Sequence, residues 1–338
     1  MVSRTHAVFK ADDRSYFAIL KKEIHAIALS AGFIEHKIGE IDIIVAEMVS
    51  NLVKHAGGGQ LLVKLVEEND LQGIEIISLD NGRGMTDVTR MVADGISTKN
   101  TLGQGLGAMK RMSDTFQVYS QKDWGTIILA RIFEDERPVF RKQPRVEIKA
   151  VVLPKPGEKE CGDGFHSIIT ADYVKLFLGD GLGHGAEAAK AVEAAIEAFQ
   201  TCPENEPVEI IRHINNCVKK TRGLVATVAV FDLKEKIWKI CGVGNIATKI
   251  LSHSFSKGYM AYNGIIGLNL PRTLNAQQME HEKGQHLVMC SDGLKTRWDT
   301  LKYPSILRYD LSILSASLMK DFARNTDDMS VVVCKINI

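Results

Sequence analysis

Apolar positions in the first third of the chain recur with the period of a helix and then with that of a strand. Helices are predicted over 15–31 and 35–55, and the run of three glycines at 57–59 ends the second one. Its apolar positions lie three and four residues apart and form one wide face: Ile38, Ile41, Ile44, Val45, Met48 and Leu52. Strands are predicted over 60–67, 73–79, 115–120 and 126–132, with a further helix over 106–113. Helices on one side of a mostly antiparallel sheet are the natural packing of this pattern.

Beyond residue 145 the pattern changes to many short strands with few helices between them. Strands are predicted over 146–153, 165–170, 173–178, 226–232, 237–241, 247–251, 286–290 and 330–335, and helices over 186–199, 207–219 and near 312–324. This order indicates a layered helix–sheet–sheet–helix arrangement, so the fold class of the chain is α+β. The charged segment 132–145 holds two of the eight prolines and separates the two patterns. We therefore predict domains over 1–135 and 146–338 with a linker over 136–145.

Composition narrows the class of protein without defining a function. The 338 residues are 45% hydrophobic and 25% charged, which is ordinary for globular domains, and the length favours two of them. A formal net charge of +1 gives no electrostatic footprint for nucleic acid or an anionic membrane. The six cysteines include no CxxC pair, which indicates reduced, buried thiols. No apolar run approaches the roughly 18–20 residues of a membrane span, and a cytoplasmic protein is expected.

Acidic residues stand in four turn-like contexts of the second block, beside predicted strands. They are Asp163 in Cys-Gly-Asp-Gly, Asp180 in Leu-Gly-Asp-Gly, Asp292 in Cys-Ser-Asp-Gly, and the pair Asp327-Asp328 before Met-Ser. Any one of them has the composition of an ordinary turn. All four in this order predict carboxylates gathered at strand ends, an oxygen-rich setting that Mg²⁺ and Mn²⁺ prefer. The second block is therefore predicted to be a metal-dependent hydrolase.

The first block contains a polar set of its own. Glu47, Asn51 and His55 follow each other at four-residue spacing on a predicted helix, which places them on one face away from the apolar one. By themselves they also fit the solvated side of an amphipathic helix. Downstream, the sequence DNGRG at 80–84 follows a strand, and GQGLG at 103–107 opens a helix. A glycine-rich loop before a helix offers backbone N–H groups and the positive helix end to a phosphate.

This ordered set of helix Glu/Asn, then DxGxG, then GxGxG resembles the GHKL superfamily of ATP-binding domains, over about residues 10–133. The compact length and the stretch 94–99 are most similar to its RsbT-like switch kinases, the type that includes anti-sigma factors. The resemblance implies that Asn51 binds the magnesium bridging the phosphates of ATP, that Asp80 accepts from the adenine amino group, and that Glu47 orients or deprotonates the acceptor hydroxyl. The other implied nucleotide contacts are Gly82 and Gly84 at the base, Gly103, Gly105 and Gly107 around the phosphates, and Thr126 at the adenine end.

The four acidic contexts resemble the PPM-type serine/threonine phosphatases, in their short SpoIIE-like and RsbX-like bacterial branch, over about residues 145–338. The resemblance implies two divalent cations, Mg²⁺ or Mn²⁺, that activate water and stabilise an in-line displacement at phosphorus. By position, Asp180 would bridge the cations with the carbonyl of Gly181 as a further ligand, Asp292 and Asp327 would hold one of them, and Asp163 would contribute directly or through water. His184 is either a proton donor to the leaving oxygen or a histidine hydrogen-bonded beside a tight turn.

Two departures from the phosphatase pattern stand out. The sequence Gly-Val-Gly-Asn at 242–245 replaces a turn of the Ala-Gly-His-Asn type, so a contact on the substrate side differs. The arginine that grips phosphate in some larger relatives has no clear counterpart, and Arg222 and Arg297 are candidates. The metal carboxylates themselves are all present.

The combined resemblance implies a bifunctional signalling enzyme of a bacterial partner-switching pathway. STAS-domain antagonist proteins are the implied phospho-acceptor and phosphatase substrate, with a sigma factor or a downstream switch protein as a further partner and a homodimer as an open possibility. In the alternative, the first domain binds ATP only to sequester a partner, and the phosphatase is the sole catalytic activity. The carboxylate at Glu47 favours the kinase interpretation.

Overall fold

The structure of the chain is a computed structural model, and it describes residues 5–12, 16–68, 70–92, 105–134, 144–253 and 255–338. The chain divides into two compact units, Met1–Lys142 and Gln143–Ile338. The predicted linker at 136–145 lies almost wholly outside the described residues, so the domain limits stay a prediction.

The N-terminal unit is a five-stranded antiparallel sheet with its two long helices on one face. Its elements are β1 (Ala7–Lys10), α1 (Phe17–Ser30), α2 (Glu35–Asn51), β2 (Gln60–Glu68), β3 (Leu71–Leu79), α3 (Val88–Val92), α4 (Gly105–Met112), β4 (Thr115–Gln121) and β5 (Gly125–Phe133). The strand order is β1-β2-β3-β5-β4. The apolar face of α2 is buried together with Leu20 and Ile24 of α1 and with alternate residues of the strands, such as Ile74 and Ile76. β1 and α3 were not predicted from the periodicity.

The helix predicted over 35–55 differs from the structure at its C-terminal end. The α-helix ends at Asn51, and Leu52–Ala56 form a π-helical turn in which the Gly57 amide donates to the carbonyl of Leu52. Gly57 closes this turn with a left-handed φ of 74°. Because a π turn is wider than an α turn, His55 does not continue the four-residue spacing of Glu47 and Asn51.

The C-terminal unit contains two five-stranded antiparallel sheets. Its elements are β6 (Val146–Leu153), β7 (Asp163–Ile169), β8 (Tyr173–Gly181), α5 (Ala186–Thr201), α6 (Pro207–Cys217), β9 (Leu224–Asp232), β10 (Ile237–Val243), β11 (Ala247–Leu251), β12 (Ser256–Tyr259), β13 (Gln277–Glu280), β14 (His286–Cys290), α7 (Leu311–Phe322) and β15 (Met329–Ile336), with a 3₁₀ turn at Ile306–Arg308. The first sheet has the order β13-β10-β9-β8-β7, and the second has the order β12-β11-β14-β15-β6.

Alternation along the strands separates the two cores of this unit. Leu176 and Leu178 of β8 are buried in the same cluster as Met289 and Val332 from the second sheet, whereas Phe177 belongs to the cluster shared with α5 and α6. Helix α7 contacts β6 and β15 of the second sheet. The predicted helix–sheet–sheet–helix arrangement is therefore confirmed.

Two expectations from composition can be compared with the structure. All six cysteines are free, as predicted, and Cys202, Cys241, Cys290 and Cys334 are buried. The predicted burial is wrong for Cys217, which is exposed, and for Cys161, which is half-buried. In the part of the chain that the structure describes, none of the helices is long and apolar enough to cross a membrane.

Candidate functional site

The pairing of the strands brings the four acidic contexts of the C-terminal unit to the same end of the two sheets. β7 begins at Asp163 and β8 ends just past Asp180, and these two residues are paired directly across the strands. In the second sheet, β14 ends two residues before Asp292, and β15 begins two residues after Asp327. β14 and β15 are antiparallel neighbours, so the end of one and the start of the other also meet.

Two buried hydrogen bonds join the acidic ends of the two sheets. Ser291 follows β14, and its hydroxyl donates to Oδ2 of Asp163 at 2.6 Å. The amide of Gly162 donates to Oδ2 of Asp328 at 2.9 Å. The predicted set Asp163, Asp180, Asp292 and Asp327 thus occupies one region of the fold.

Burial and mutual repulsion oppose the ionisation of the carboxyl groups at this end of the sheets. Burial raises the pKa of Asp163 to about 7, an effect that the hydrogen bond from Ser291 counteracts and the charges of Asp328 and Asp292 reinforce. Burial, followed by repulsion from Asp163 and Asp292, raises the pKa of Asp180 to about 9. The pKa of Asp292 is also raised, first by burial and then by Asp327. Buried carboxylates that repel each other need a positive counter-charge to ionise together.

This chemistry fits a divalent cation. Oδ1 of Asp163 is buried and has no hydrogen-bond partner among the described residues, which leaves an oxygen for a cation or for its water. Within the described ranges, however, no group of three or more His, Cys, Asp or Glu side chains is already in position to hold one ion. The negative charge and the oxygen ligands therefore fit a divalent cation, whereas the side chains would have to move closer together to bind it. The individual ligand assignments stay a prediction.

The second acid of the Asp327-Asp328 pair has a role that the motif did not indicate. Both oxygens of Asp328 accept backbone N–H groups, Oδ1 from Lys155 at 2.8 Å and Oδ2 from Gly162 at 2.9 Å. Oδ1 of Asp327 accepts from the amide of Asp328 at 3.0 Å. Asp328 is buried and fastens the segment 155–162, and Asp327 is only half-buried.

The loop after Asp180 is held on two sides. Nδ1 of His184 lies 2.8 Å from Oε1 of Glu158, and Nη1 of Arg222 donates to the carbonyl of Leu182 at 3.0 Å. Glu158 was not singled out in the sequence, because it lies 26 positions from its partner and outside any motif. Arg222 is therefore beside the loop that carries His184, and Arg297, the other candidate, is exposed after the turn at Asp292.

In the N-terminal unit, the predicted base-binding residues share one hydrogen-bond network. Oδ1 of Asp80 accepts from the amide of Gly82 at 2.8 Å and from the amide of Thr126 at 3.1 Å. Oγ1 of Thr126 lies 2.9 Å from Oγ of Ser120, which also accepts from the amide of Met85 at 2.8 Å. The loop of the DNGRG motif, which includes Gly84, is thus fastened to the strands β4 and β5. Ser120 was missed because a single serine in a strand gives no signal.

The predicted kinase carboxylate lies against the start of α4. A Cβ atom built on Gly105 would stand 2.5 Å from Oε2 of Glu47, so the carboxylate lies directly against this glycine, and a larger residue there would displace it. Gly107 is buried in the first turn of the same helix, and Asn51 is half-buried at the end of α2. Gly103 lies outside the described residues.

Two family models match the chain. The model of the histidine kinase-like ATPase domain matches residues 9–132, and that of stage II sporulation protein E (SpoIIE) matches residues 170–337. The fold and the sites thus define a protein that joins a kinase-like ATPase domain to a PPM-type phosphatase domain. The chain belongs to the histidine kinase-like ATPase family through its first unit. Its second unit matches the SpoIIE family model over residues 170–337.

Curated relatives and solved structures give the same division. Serine/threonine-protein kinase RsbT of Bacillus subtilis (strain 168) is 34% identical over 104 residues, which are 31% of this chain and 78% of RsbT. Phosphoserine phosphatase RsbX of the same organism is 27% identical over 145 residues, 42% of this chain and 71% of RsbX. A structure from work on the bacterial stressosome as a modular system has 29% identity and a TM-score of 0.54, covering 57% of this chain and 100% of its own. The crystal structure of RsbX in complex with magnesium has 21% identity and a TM-score of 0.52, covering 58% and 98%, and shows likeness of fold.

Both family resemblances and the α+β class are therefore confirmed. The chain is a protein phosphatase with a kinase-like domain, and the combination of RsbT-like and RsbX-like regions agrees with partner-switching regulation.

Proposed function

We propose that the chain carries two opposing activities of a bacterial partner-switching pathway. The C-terminal unit removes phosphate from phosphoserine or phosphothreonine of a partner protein, and the N-terminal unit transfers phosphate from ATP to such a partner. The phosphatase activity is proposed because four acidic contexts meet at the same end of two sheets, where Asp163 and Asp180 are paired across neighbouring strands. The similarity to a serine/threonine-protein kinase and a phosphoserine phosphatase supports the pairing on one chain.

The phosphatase half would use two divalent cations held by carboxylates. Asp180 would be their shared ligand, the carbonyl of Gly181 a further ligand, Asp292 and Asp327 would hold one cation, and Asp163 would contribute directly or through water. When bound, the cations supply activation of water and neutralisation of charge on the phosphate. Magnesium is supported by the RsbX structure that contains it, and manganese by its preference for the same oxygen ligands.

The protein's own side chains would orient the phosphoester. His184 would donate a proton to the leaving serine or threonine oxygen, and Glu158 would hold the imidazole by accepting from Nδ1 at 2.8 Å. The hydrogen bond from Arg222 to the loop carbonyl leaves its other N–H groups for the phosphate.

The kinase half would depend on alignment of ATP with an acceptor hydroxyl. Asp80 would hold the adenine amino group, Asn51 the magnesium, and Glu47 the hydroxyl proton. A STAS-domain antagonist protein is the proposed acceptor and also the phosphatase substrate, in the cytoplasm, with a sigma factor or switch protein downstream. Opposing activities on one chain raise the effective concentration of both at a shared partner.

The phosphatase proposal is tested on the full chain with a phosphoserine peptide and Mn²⁺ or Mg²⁺. Asp180→Asn should abolish turnover, Asp163→Asn should reduce it less, and EDTA should silence the wild type reversibly. Asp172→Asn, in the exposed turn at the other end of the β7–β8 hairpin, is the matched control. Activity that survives chelation, or an Asp180→Asn enzyme as fast as the wild type, contradicts the assignment.

The kinase proposal is tested with ATP and STAS proteins encoded in neighbouring reading frames. Glu47→Gln should keep ATP affinity in calorimetry and lose transfer by about 10²–10⁴-fold, as for removal of a general base. Glu23→Gln, exposed on α1, is the control, and Asp80→Asn and Asn51→Ala should weaken ATP binding itself. Unchanged transfer removes Glu47 from the mechanism. Absence of transfer from a wild type that binds ATP favours the sequestering alternative.

A further inference from the structure

The Gly-Val-Gly-Asn turn at 242–245 contacts one of the proposed metal ligands. Nδ2 of Asn245 donates to Oδ2 of Asp292 at 2.8 Å. The asparagine connects β10 to β11, and Ala247 at the start of β11 pairs with Cys290 at the end of β14. The same antiparallel register, continued by two residues, sets Asn245 opposite Asp292. The pairing of β11 with β14 thus brings the two side chains close enough for this contact.

The backbone before Asn245 is fixed from both sides. The amide of Gly244 donates to the carbonyl of Tyr262, and the amide of Tyr262 donates to the carbonyl of Gly242, each at 2.8 Å. Gly244 has a φ of 105°, and a Cβ atom there would collide with the side chain of Val225. Val225 pairs with Asp180 across β8 and β9. The turn thus lies against the strand neighbour of the proposed bridging carboxylate.

We propose that Asn245 is a positioning residue that fixes the Asp292 carboxylate for metal binding, an inference that rests on the proposed metal-dependent phosphatase. The amide engages Oδ2 and leaves Oδ1 available to a cation, which would favour a single-oxygen contact over a two-oxygen one. An asparagine amide does not ionise in the pH range in which proteins are folded, so this donor is present throughout that range. Partners of this kind orient the side chains that bind metal, and their loss typically lowers metal affinity about 10–100-fold.

The ratio of Mg²⁺ affinity to Mn²⁺ affinity distinguishes positioning of the Asp292 carboxylate from a purely structural role of Asn245, which would not change this ratio. Mg²⁺ demands near-ideal octahedral geometry, whereas larger cations accept more irregular sites. A carboxylate that is free to rotate should therefore weaken the binding of Mg²⁺ more than that of Mn²⁺. The affinity ratio between the two cations is expected to shift in the Asn245→Ala protein.

The experiment measures Mg²⁺ and Mn²⁺ affinity of the full chain by calorimetry, with Mn²⁺ binding also followed by electron paramagnetic resonance. Asn245→Ala should bind both cations about 10–100-fold more weakly, with the larger loss for Mg²⁺. Asn216→Ala, exposed on α6, is the matched control and should bind like the wild type. Because Asn245 is exposed, we expect the melting temperature in EDTA to be unchanged by its replacement.

A double-mutant cycle with Asp292→Ala keeps the inference testable independently of folding effects. If Asn245 acts through Asp292, its removal should cause no further loss of metal affinity once Asp292 is absent. A wild type that binds neither cation refutes the proposed phosphatase. A wild type that binds them, with equal affinities in Asn245→Ala or additive losses in the cycle, overturns the role of Asn245 alone.

Discussion

Adjacent acids at the start of β15 should fail in different ways when they are replaced. Asp328 accepts two backbone N–H groups from the segment 155–162, whereas Asp327 accepts from the amide next to it. Asp328→Ala should therefore loosen that segment and destabilise the unit. Asp327→Ala should leave the segment in place and remove a proposed metal ligand.

The size of the Asp328 effect follows from its two bonds. Hydrogen bonds to a charged acceptor contribute about 1.5–3 kcal/mol each, so the loss of both sets an upper limit of about 3–6 kcal/mol. Water can reach the half-buried Lys155 and offset part of the loss, but Gly162 is buried. We expect about 2–4 kcal/mol to remain for Asp328→Ala, and less than about 1 kcal/mol for Asp327→Ala, whose local bond water can replace.

Amide hydrogen exchange of the full chain measures this difference at the segment itself. A loss of about 2–4 kcal/mol corresponds to exchange that is about 30- to 700-fold faster in peptides covering 155–162, at about 1.4 kcal/mol per factor of ten. Calorimetry with Mn²⁺ gives the complementary result, with binding lost in Asp327→Ala. Unchanged exchange in Asp328→Ala, or equal acceleration in both variants, would refute the division of roles.

The metal-free cluster should also make stability depend on pH. Because the pKa values of Asp163 and Asp180 rise to about 7 and about 9, the folded chain keeps protons that an unfolded carboxylate loses above its ordinary pKa of 3.8. The melting temperature in EDTA should therefore fall as pH rises from 3.8 to about 9. Asp180→Asn should flatten this profile, and an identical profile in that variant would exclude Asp180 as its cause. His184→Ala should slow release of serine phosphate about 10²-fold but that of p-nitrophenyl phosphate less than about threefold, since nitrophenolate leaves without a proton; equal losses would exclude proton donation. Glu75→Ala should lower the unfolding free energy by up to about 3–5 kcal/mol in urea titration, because it removes the 2.6 Å ion partner of buried Arg131 and leaves that charge with Glu68 at 3.7 Å; a loss below about 1 kcal/mol would contradict this.

Strong periodicity makes much of this fold predictable from sequence. The strands at 146–153, 247–251 and 286–290 agree with the structure at both ends, and each is followed directly by a proline or a serine. The edge strands Ser256–Tyr259 and Gln277–Glu280 carry no such signal, since they are short and mostly exposed. Their pairing depends on the neighbouring strand and not on their own pattern.

The candidate site is predictable in its residue types but not in its connections. Asp163, Asp180 and Asp292 are visible because each stands in a glycine-containing turn beside a strand. The partners that hold the acids lie far away in sequence, 166 positions for Gly162 and Asp328 and 47 for Asn245 and Asp292. Only the register of the two sheets brings them together, and one sequence does not specify that register.

The hydrogen bonds that connect the two sheets lie at the same end of the strands as the carboxyl groups that repel each other. Ser291 of the second sheet donates to Asp163 of the first and accepts from the amide of Ser330, while Asp328 holds Gly162. These bonds keep carboxyl groups close together even though burial and mutual repulsion oppose the ionisation of Asp180. A bound divalent cation would remove that repulsion and stabilise the folded state over the unfolded one. Metal affinity and the packing of the two sheets should therefore be coupled, so that a change weakening the bonds between the sheets also weakens metal binding.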